Sequence, residues 1–391
     1  MIPLPFLSSR PTKNFPHVGL RRAAVIACIL LRTWLSAAAQ NTPLSISPKP
    51  ADIPAAWRSL IGEYGPGNDV YYVLEKGGRL TILRKNGGEW SLRQGPAADA
   101  FELDLADSRV LPVRFERTGA GKATRFTLGA RTFERRSIGP VDRSAVTNKV
   151  DRFAVTNNEE GHVFQITPAR PVEELRKEAL AASPPHESGN FRVPDLVELV
   201  TLDPTIRLDI RYATAHDFLG TPVYTQAQAF LQRPAAEALL RAHRALRPWG
   251  FGLLIHDAYR PWYVTKIFWE ATPPESRIFV ADPQQGSRHN RGCAVDLTLY
   301  ELSTGKPVEM VGVYDEMSPR SFPDYPGGTS LQRWHRDLLR HVMEAEGFTV
   351  YEHEWWHFDF VGRFAATNDK EWQQYPILNI PFEQLSGGKS P

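Results

Sequence analysis

Cysteine is almost absent. Cys28 and Cys293 are the two in 391 residues, so neither a disulfide scaffold nor a cysteine-built metal cluster is available. A charge excess is missing as well: 46 basic against 44 acidic residues leave a formal charge of +2. With no basic stripe to meet phosphates, the composition argues for no nucleic acid as partner. Long apolar runs are lacking too. Ala23 to Leu31 holds nine apolar residues, and a bilayer span takes about 20, so no stable membrane span is expected. Extended repeats are also missing, since the single tandem copy, Val141–Asn148 and Val150–Asn157, is too short for a solenoid and reads as a local duplication.

What is present begins with an export signature. Arg21 and Arg22 precede the apolar run, and Ala37-Ala-Ala39 offers small residues for cleavage before Gln40. Residues 1–39 are therefore expected to be a signal peptide, placing the protein in the periplasm or outside the cell. A cytoplasmic protein with an N-terminal extension is the alternative, and Val25-Ile-Ala-Cys28 also faintly resembles a lipoprotein box. Should Cys28 leave with the signal, Cys293 would have no intrachain partner. Oligomeric state is not legible.

At 391 residues and 42% hydrophobic content, the chain can bury more than one core. Two domains are expected. Between Ile53 and Arg136, short alternating runs such as Val70–Leu74, Leu80–Arg84, Phe101–Leu105 and Val113–Glu116 are separated by Gly-rich breaks. They predict a small all-β barrel or sandwich, placed at 50–160. Pro171–Ala182 reads as a helix followed by a Ser- and Pro-rich linker, giving a connecting segment over 161–190. The remainder, 191–385, mixes the two element types, so the fold class is α+β, with helices packed on an antiparallel sheet. Pro234 opens one helix, and Ser330 is expected to cap another. His243, His335 and His341 fall on these helices as solvated or structural residues.

The chemistry lies in two clusters. Ser287-Arg-His289-Asn-Arg-Gly292-Cys-Ala-Val-Asp296 places an imidazole seven residues from a carboxylate, and Glu354-Trp-Trp-His357 follows some sixty residues later. Two imidazoles and one carboxylate suit Zn2+, one per chain, held by His289, Asp296 and His357. Such a set leaves a fourth tetrahedral position for a water, with Glu354 as base. Seven residues span roughly 10 Å of helix or roughly 23 Å of strand. The chain must therefore turn between His289 and Asp296, and Gly292 supplies a residue free to take positive φ. From Cys293 the sequence reads as a strand, with Cys293 pointing into the core and Asp296 to the opposite face.

His353-Glu354-Trp-Trp-His357 also spells H-E-x-x-H, which needs a helix to work as a metal motif. Its aromatic and β-branched surroundings favour strand instead. Period-2 alternation would then put Glu354 and His357 on opposite faces, so a bulge or bend is expected near Trp355-Trp356. Downstream of the apolar run Gly252–Ile255, Arg260 in Asp257-Ala-Tyr-Arg260-Pro could stabilise an oxyanion. Taken alone, it fits an ordinary surface ion pair better.

Together, Ser287-x-His289-x-x-Gly292-x-Ala-Val-Asp296, Glu354-Trp-Trp-His357 and Asp257-Ala-Tyr-Arg260-Pro resemble the D-alanyl-D-alanine dipeptidase family, which includes the vancomycin-resistance dipeptidases. The similarity extends over roughly Phe191 to Glu383. It implies zinc on His289, Asp296 and His357, Glu354 as general base and acid, and Arg260 on the tetrahedral intermediate. It further implies substrate contacts from Ser287 and from Asp315, the latter receiving the ammonium of a small dipeptide. Where the family often has Asp-Glu-Arg-Ser-His, this chain has Met317-Ser-Pro-Arg-Ser-Phe322, a departure at the substrate end. The expected reaction is hydrolysis of D-alanyl-D-alanine. Rival readings are a D,D-carboxypeptidase or cell-wall endopeptidase of the same zinc fold, a catalytically silent zinc-binding module, and a helical H-E-x-x-H protease.

Overall fold

Glycine pairs turn the N-terminal third of the chain into a meander. The computed structural model describes residues 46–119, 121–137, 153–158, 161–362 and 370–386. The expected signal peptide and the first tandem copy lie outside these residues. After a helical turn at Ala55–Arg58 come β1 (Gly62–Tyr64), β2 (Tyr71–Lys76), β3 (Arg79–Arg84), β4 (Glu89–Gln94), β5 (Ala100–Asp104), β6 (Val110–Arg117), β7 (Ala123–Leu128) and β8 (Arg131–Glu134). Each pairs antiparallel with the next. Lys76 faces Arg79 across Gly77-Gly78, whose φ angles are 58° and 78°. This is the two-residue hairpin loop whose twist matches that of its strands.

The bridge between Tyr64 and Arg135, with Gly65 N–H donating to Glu134 O (2.9 Å) and Arg136 N–H to Glu63 O (2.8 Å), joins the first strand to the end of the last. The sheet thus curls into a barrel, one of the two forms expected. Alternation sends Leu80, Ile82, Phe101, Phe115, Phe126 and Phe133 inward. Their rings fill the interior, Phe126 stacking on Phe133 at 4.8 Å.

Next come the hairpin β9 (Phe153–Asn158) and β10 (Gly161–Ile166), which contains the end of the second tandem copy, and α1 (Val172–Ala181) behind Pro171. The irregular stretch after α1 is anchored: Glu187 pairs with Arg291 at 2.5 Å and accepts from Ile377 N–H at 2.6 Å. The C-terminal elements are β11 (Leu196–Glu198), β12 (Arg207–Leu208), β13 (Phe230–Gln232), α2 (Arg233–Leu246), β14 (Phe251–Asp257), α3 (Trp262–Ala271), β15 (Ala294–Glu301), α4 (Ser330–Ala345), β16 (Phe348–Tyr351) and β17 (Glu354–Phe360). Both long helices, α2 and α4, pack on the central sheet and on each other.

That sheet runs β12-β14-β15-β17-β16. It is mixed rather than wholly antiparallel as expected, because β12 lies parallel to β14. The chain between those two strands includes α2, the kind of crossover that a parallel pair requires. A second correction concerns α4. Its cap is Thr329, which exchanges hydrogen bonds with Gln332 in a capping box, while Ser330 N–H donates to Glu75 instead. His243 and His335 are buried: Thr205 Oγ1 and Leu253 N hold the ring nitrogens of the first, and Glu309 O holds Nδ1 of the second. His341 is exposed.

Residues 47–391 cluster as one compact unit, so the barrel is packed against the C-terminal portion. Among the described residues, no helix is long and apolar enough to cross a membrane.

Candidate metal centre and active site

Three neighbouring strands set the frame. On β15, Asp296 lies directly opposite His357 of β17 on one side and Asp257 of β14 on the other. Cross-strand neighbours sit about 5 Å apart and share a face, so the register alone brings an imidazole and two carboxylates together. A bulge at His256, between the pairs Ile255–Leu297 and Asp257–Asp296, gives Asp257 its place in that row. His289 reaches it from a short 3-10 turn, His289–Arg291, which ends at Gly292 with φ 67°. A Cβ there would lie 2.5 Å from Leu196 Cδ2, so the expected positive-φ turn has both a conformational and a steric reason.

The expected irregularity near Trp355-Trp356 is also found. Along β16, Val350 faces Phe358 but the next residue, Tyr351, faces Glu354. Trp355, Trp356 and His357 are thereby looped out relative to β16, while His357 keeps its pairing with Asp296. Glu354 and His357 both line the cavity, with Glu354 Oε2 3.7 Å from His357 Nδ1. This segment is strand and turn, which excludes the helical H-E-x-x-H reading.

His289 Nε2, Asp296 Oδ1 and His357 Nδ1 form a triangle with edges of 3.0, 3.1 and 3.3 Å. A tetrahedral zinc site with bonds of roughly 2.0–2.1 Å places its ligand atoms about 3.3 Å apart, so the geometry fits. Tautomers fit as well. His289 Nδ1 donates to Ala258 O at 2.6 Å, and His357 Nε2 donates to Asp359 Oδ1 at 2.9 Å. Each partner assigns the proton to the outer nitrogen and leaves the inner one with its lone pair. Once His357 releases the second proton it holds without metal, three lone-pair-bearing atoms face one another, a donor set that a divalent cation satisfies. The group is buried, and it can hold a metal ion.

Charges around the triangle are crowded. Burial pushes Glu354 up to about 8; His357 opposes the shift and Asp296 adds to it. Burial and Asp296 hold Asp315 well above the usual carboxylate range. For His357, burial favours the neutral ring, but Asp359 and Asp296 outweigh it and raise the group to about 10. Such a concentration of carboxylates is offset by a bound cation.

Arg260 is buried rather than at the surface. Asp257 Oδ2 accepts from its Nε at 2.9 Å and lies 2.8 Å from its Nη2, and Tyr224 donates to Asp257 Oδ1 at 2.6 Å. The guanidinium lies over the Phe268 ring at 4.8 Å and 3.5 Å from Asp296 Oδ2. Ser287, also buried, lines the cavity, and its Oγ accepts from His289 N–H at 3.2 Å. Asp315 lies on the other flank: Tyr212 donates to its Oδ1 at 2.9 Å, while its buried Oδ2 has no hydrogen-bond partner. The cavity holds about 100 Å³ of free volume. A single water needs roughly 10–15 Å³ on that scale, so on the order of ten non-hydrogen atoms fit.

All seven residues picked from the sequence, Ser287, His289, Asp296, Glu354, His357, Arg260 and Asp315, line this one cavity. Three others were missed. Asp359 orients His357; its signal was an acid between Phe358 and Phe360, two residues beyond the histidine on the same strand. Tyr314 donates to Asp296 Oδ2 at 3.0 Å, and Tyr212 holds Asp315. Neither tyrosine carries a local sequence signal. Cys293 is fully buried, and burial pushes its thiol far up, which fits an inert core residue.

The region that carries this site matches known proteins. The family model described as D-ala-D-ala dipeptidase, peptidase M15, matches residues 192–376. That span contains every residue of the cavity named above and leaves the barrel outside. The D-alanyl-D-alanine dipeptidase of Escherichia coli (strain K12) is 34% identical over 165 residues, covering 42% of this chain and 84% of that protein. The enzyme of the same name from Enterococcus faecium is 36% identical over 174 residues, covering 39% and 85%. That of Streptomyces coelicolor is 36% identical over 189 residues, covering 44% and 91%. The chain therefore belongs to the D-Ala-D-Ala dipeptidase family and is a peptidase, a hydrolase of peptide bonds.

Proposed function

We propose that the protein hydrolyses D-alanyl-D-alanine to two molecules of free D-alanine, using one zinc ion held by His289, Asp296 and His357. The observation that carries this reading is the triangle of lone-pair atoms with Glu354 beside it in a cavity of dipeptide size. When bound, zinc supplies Lewis acidity toward water and the scissile carbonyl.

The chain's own groups do the rest. Glu354 takes a proton from the attacking water and passes it to the departing amine nitrogen; burial gives it an affinity near the range suited to both roles. Arg260, held in place by Asp257, donates hydrogen bonds to the developing oxyanion, and exclusion of water strengthens that interaction. Asp315 Oδ2, lacking an internal partner, receives the substrate ammonium. Ser287 contacts the substrate from the turn that carries His289.

The division into a β-rich accessory domain (50–160), a connecting segment (161–190) and a peptidase domain (191–385) belongs to the same proposal. So does export directed by residues 1–39, which would put the site where cell-wall peptides occur. Hydrolysis of free D-Ala-D-Ala compared with that of a muropeptide pentapeptide tests the substrate. A dipeptidase releases D-alanine from the first and leaves the second intact; preference for the pentapeptide would instead point to the carboxypeptidase reading.

A further inference from the structure

The barrel lies outside the span shared with the family, yet it holds the chain that follows the Asp315 loop. Asp315 has φ 59°, a left-handed conformation uncommon outside glycine, which aspartate and asparagine enter more readily than other residues. Such conformations persist only where the surroundings over-determine them. Within the loop, Glu316 provides part of that constraint: its buried carboxylate accepts from Val313 N–H (3.2 Å) and from both Nε and Nη2 of Arg320 (2.7 Å each). The barrel meets the chain further on, from Tyr325 onward.

Tyr325, at the loop's far end, donates to Glu63 Oε1 of β1 at 2.9 Å and meets Tyr72 of β2 edge-on at 5.6 Å. Glu75 of β2 donates its backbone N–H to Gly328 O at 3.1 Å. Its carboxylate accepts from Gly78 N–H of the barrel hairpin (2.6 Å) and from Ser330 N–H at the start of α4 (2.7 Å). Glu75 is 2% exposed, so these bonds are made out of water, where an unmatched partner is costly. Arg333 completes the joint, donating to Glu75 O (2.6 Å) and to the carbonyls of Gly327 and Gly328 (3.0 and 3.1 Å). Between Asp315 and these contacts lies Met317–Phe322, where the chain departs from the family pattern.

We propose that the N-terminal barrel is a built-in clamp that fixes the Tyr314–Asp315 loop of the cavity and thereby sets affinity for the amino end of the substrate. Glu75 and Tyr325 are positioning residues: they touch neither substrate nor metal and act through Asp315. This inference rests on the reading that Asp315 receives the dipeptide ammonium.

The test uses the full chain with Tyr325→Phe, which removes one hydroxyl, and Glu75→Ala, which opens the joint at α4. KM and kcat are measured for D-Ala-D-Ala and for its N-acetylated form, which has no ammonium, together with zinc content. A linkage of this kind transmits about 0.5–2 kcal/mol, which corresponds to about a 2- to 30-fold change. The expected result is a rise of that size in KM for the free dipeptide, with kcat and zinc content retained and discrimination against the N-acetylated form reduced by the same factor. Glu75→Gln, which keeps an acceptor for Ser330, is expected to restore most of the affinity. Unchanged KM, or equal loss on both substrates, overturns the clamp. Should Glu75→Ala fail to fold, Tyr325→Phe decides alone. A parent protein inactive on the dipeptide would instead overturn the functional reading itself.

Discussion

Asp359 offers the sharpest prediction, because no sequence motif marked it and the structure sets its Oδ1 against His357, with Arg288 beside its other oxygen. Its Oδ1 accepts the Nε2 proton of His357 at 2.9 Å, leaving Nδ1 as the ligating atom, 3.0 Å from Asp296 Oδ1. Replacing it with alanine frees the ring to take the other tautomer and removes the negative charge that makes the imidazole a better donor. Removing an outer partner of this kind weakens metal affinity by roughly 10- to 100-fold, or about 1.4–2.8 kcal/mol. Asp359→Asn should fall short of that loss, since the amide oxygen can still accept the proton. Competition with a chromophoric chelator measures zinc affinity directly, and turnover at saturating zinc shows whether chemistry survives. Affinity of Asp359→Ala within twofold of the parent would refute the assigned tautomer and the metal geometry built on it.

Other substitutions separate the remaining roles. Glu354→Gln should keep one zinc per chain and lose about 10²- to 10⁴-fold in kcat, with metal content and turnover measured on one preparation. Arg260→Ala removes the donor proposed for the developing oxyanion and should lower kcat by about 10²- to 10³-fold; a change confined to KM would mean that it only binds substrate. Gly292→Ala forces a left-handed φ on a residue with a Cβ and sets that Cβ 2.5 Å from Leu196, so thermal denaturation should show a loss of at least about 1–2 kcal/mol.

The local site features were legible in the sequence because each depends on neighbours along the chain. The turn at Gly292 follows from seven residues that had to bend. The bulge in β17 follows from a conflict between strand periodicity and two functional side chains on one cavity. Glycine pairs announced the hairpins of the barrel, although β1, β4, β7 and β8 were missed: β1 and β8 span three and four residues, and β4 buries only Leu92. What could not be read depends on contacts distant in sequence. Tyr212 and Tyr314 meet Asp315 and Asp296 only after the sheet has formed. The parallel edge strand β12 is two residues long and leaves no periodic trace. Thr329 Oγ1 takes the capping bond from Gln332 N–H, while the Ser330 hydroxyl is turned to Glu75, some 250 residues away in the chain.

Elemental analysis of the purified protein, combined with D-alanine release before and after chelation, tests the account most directly. One zinc per chain is expected, with activity lost on chelation and regained on adding zinc back. Undiminished hydrolysis after complete removal of the metal would contradict it.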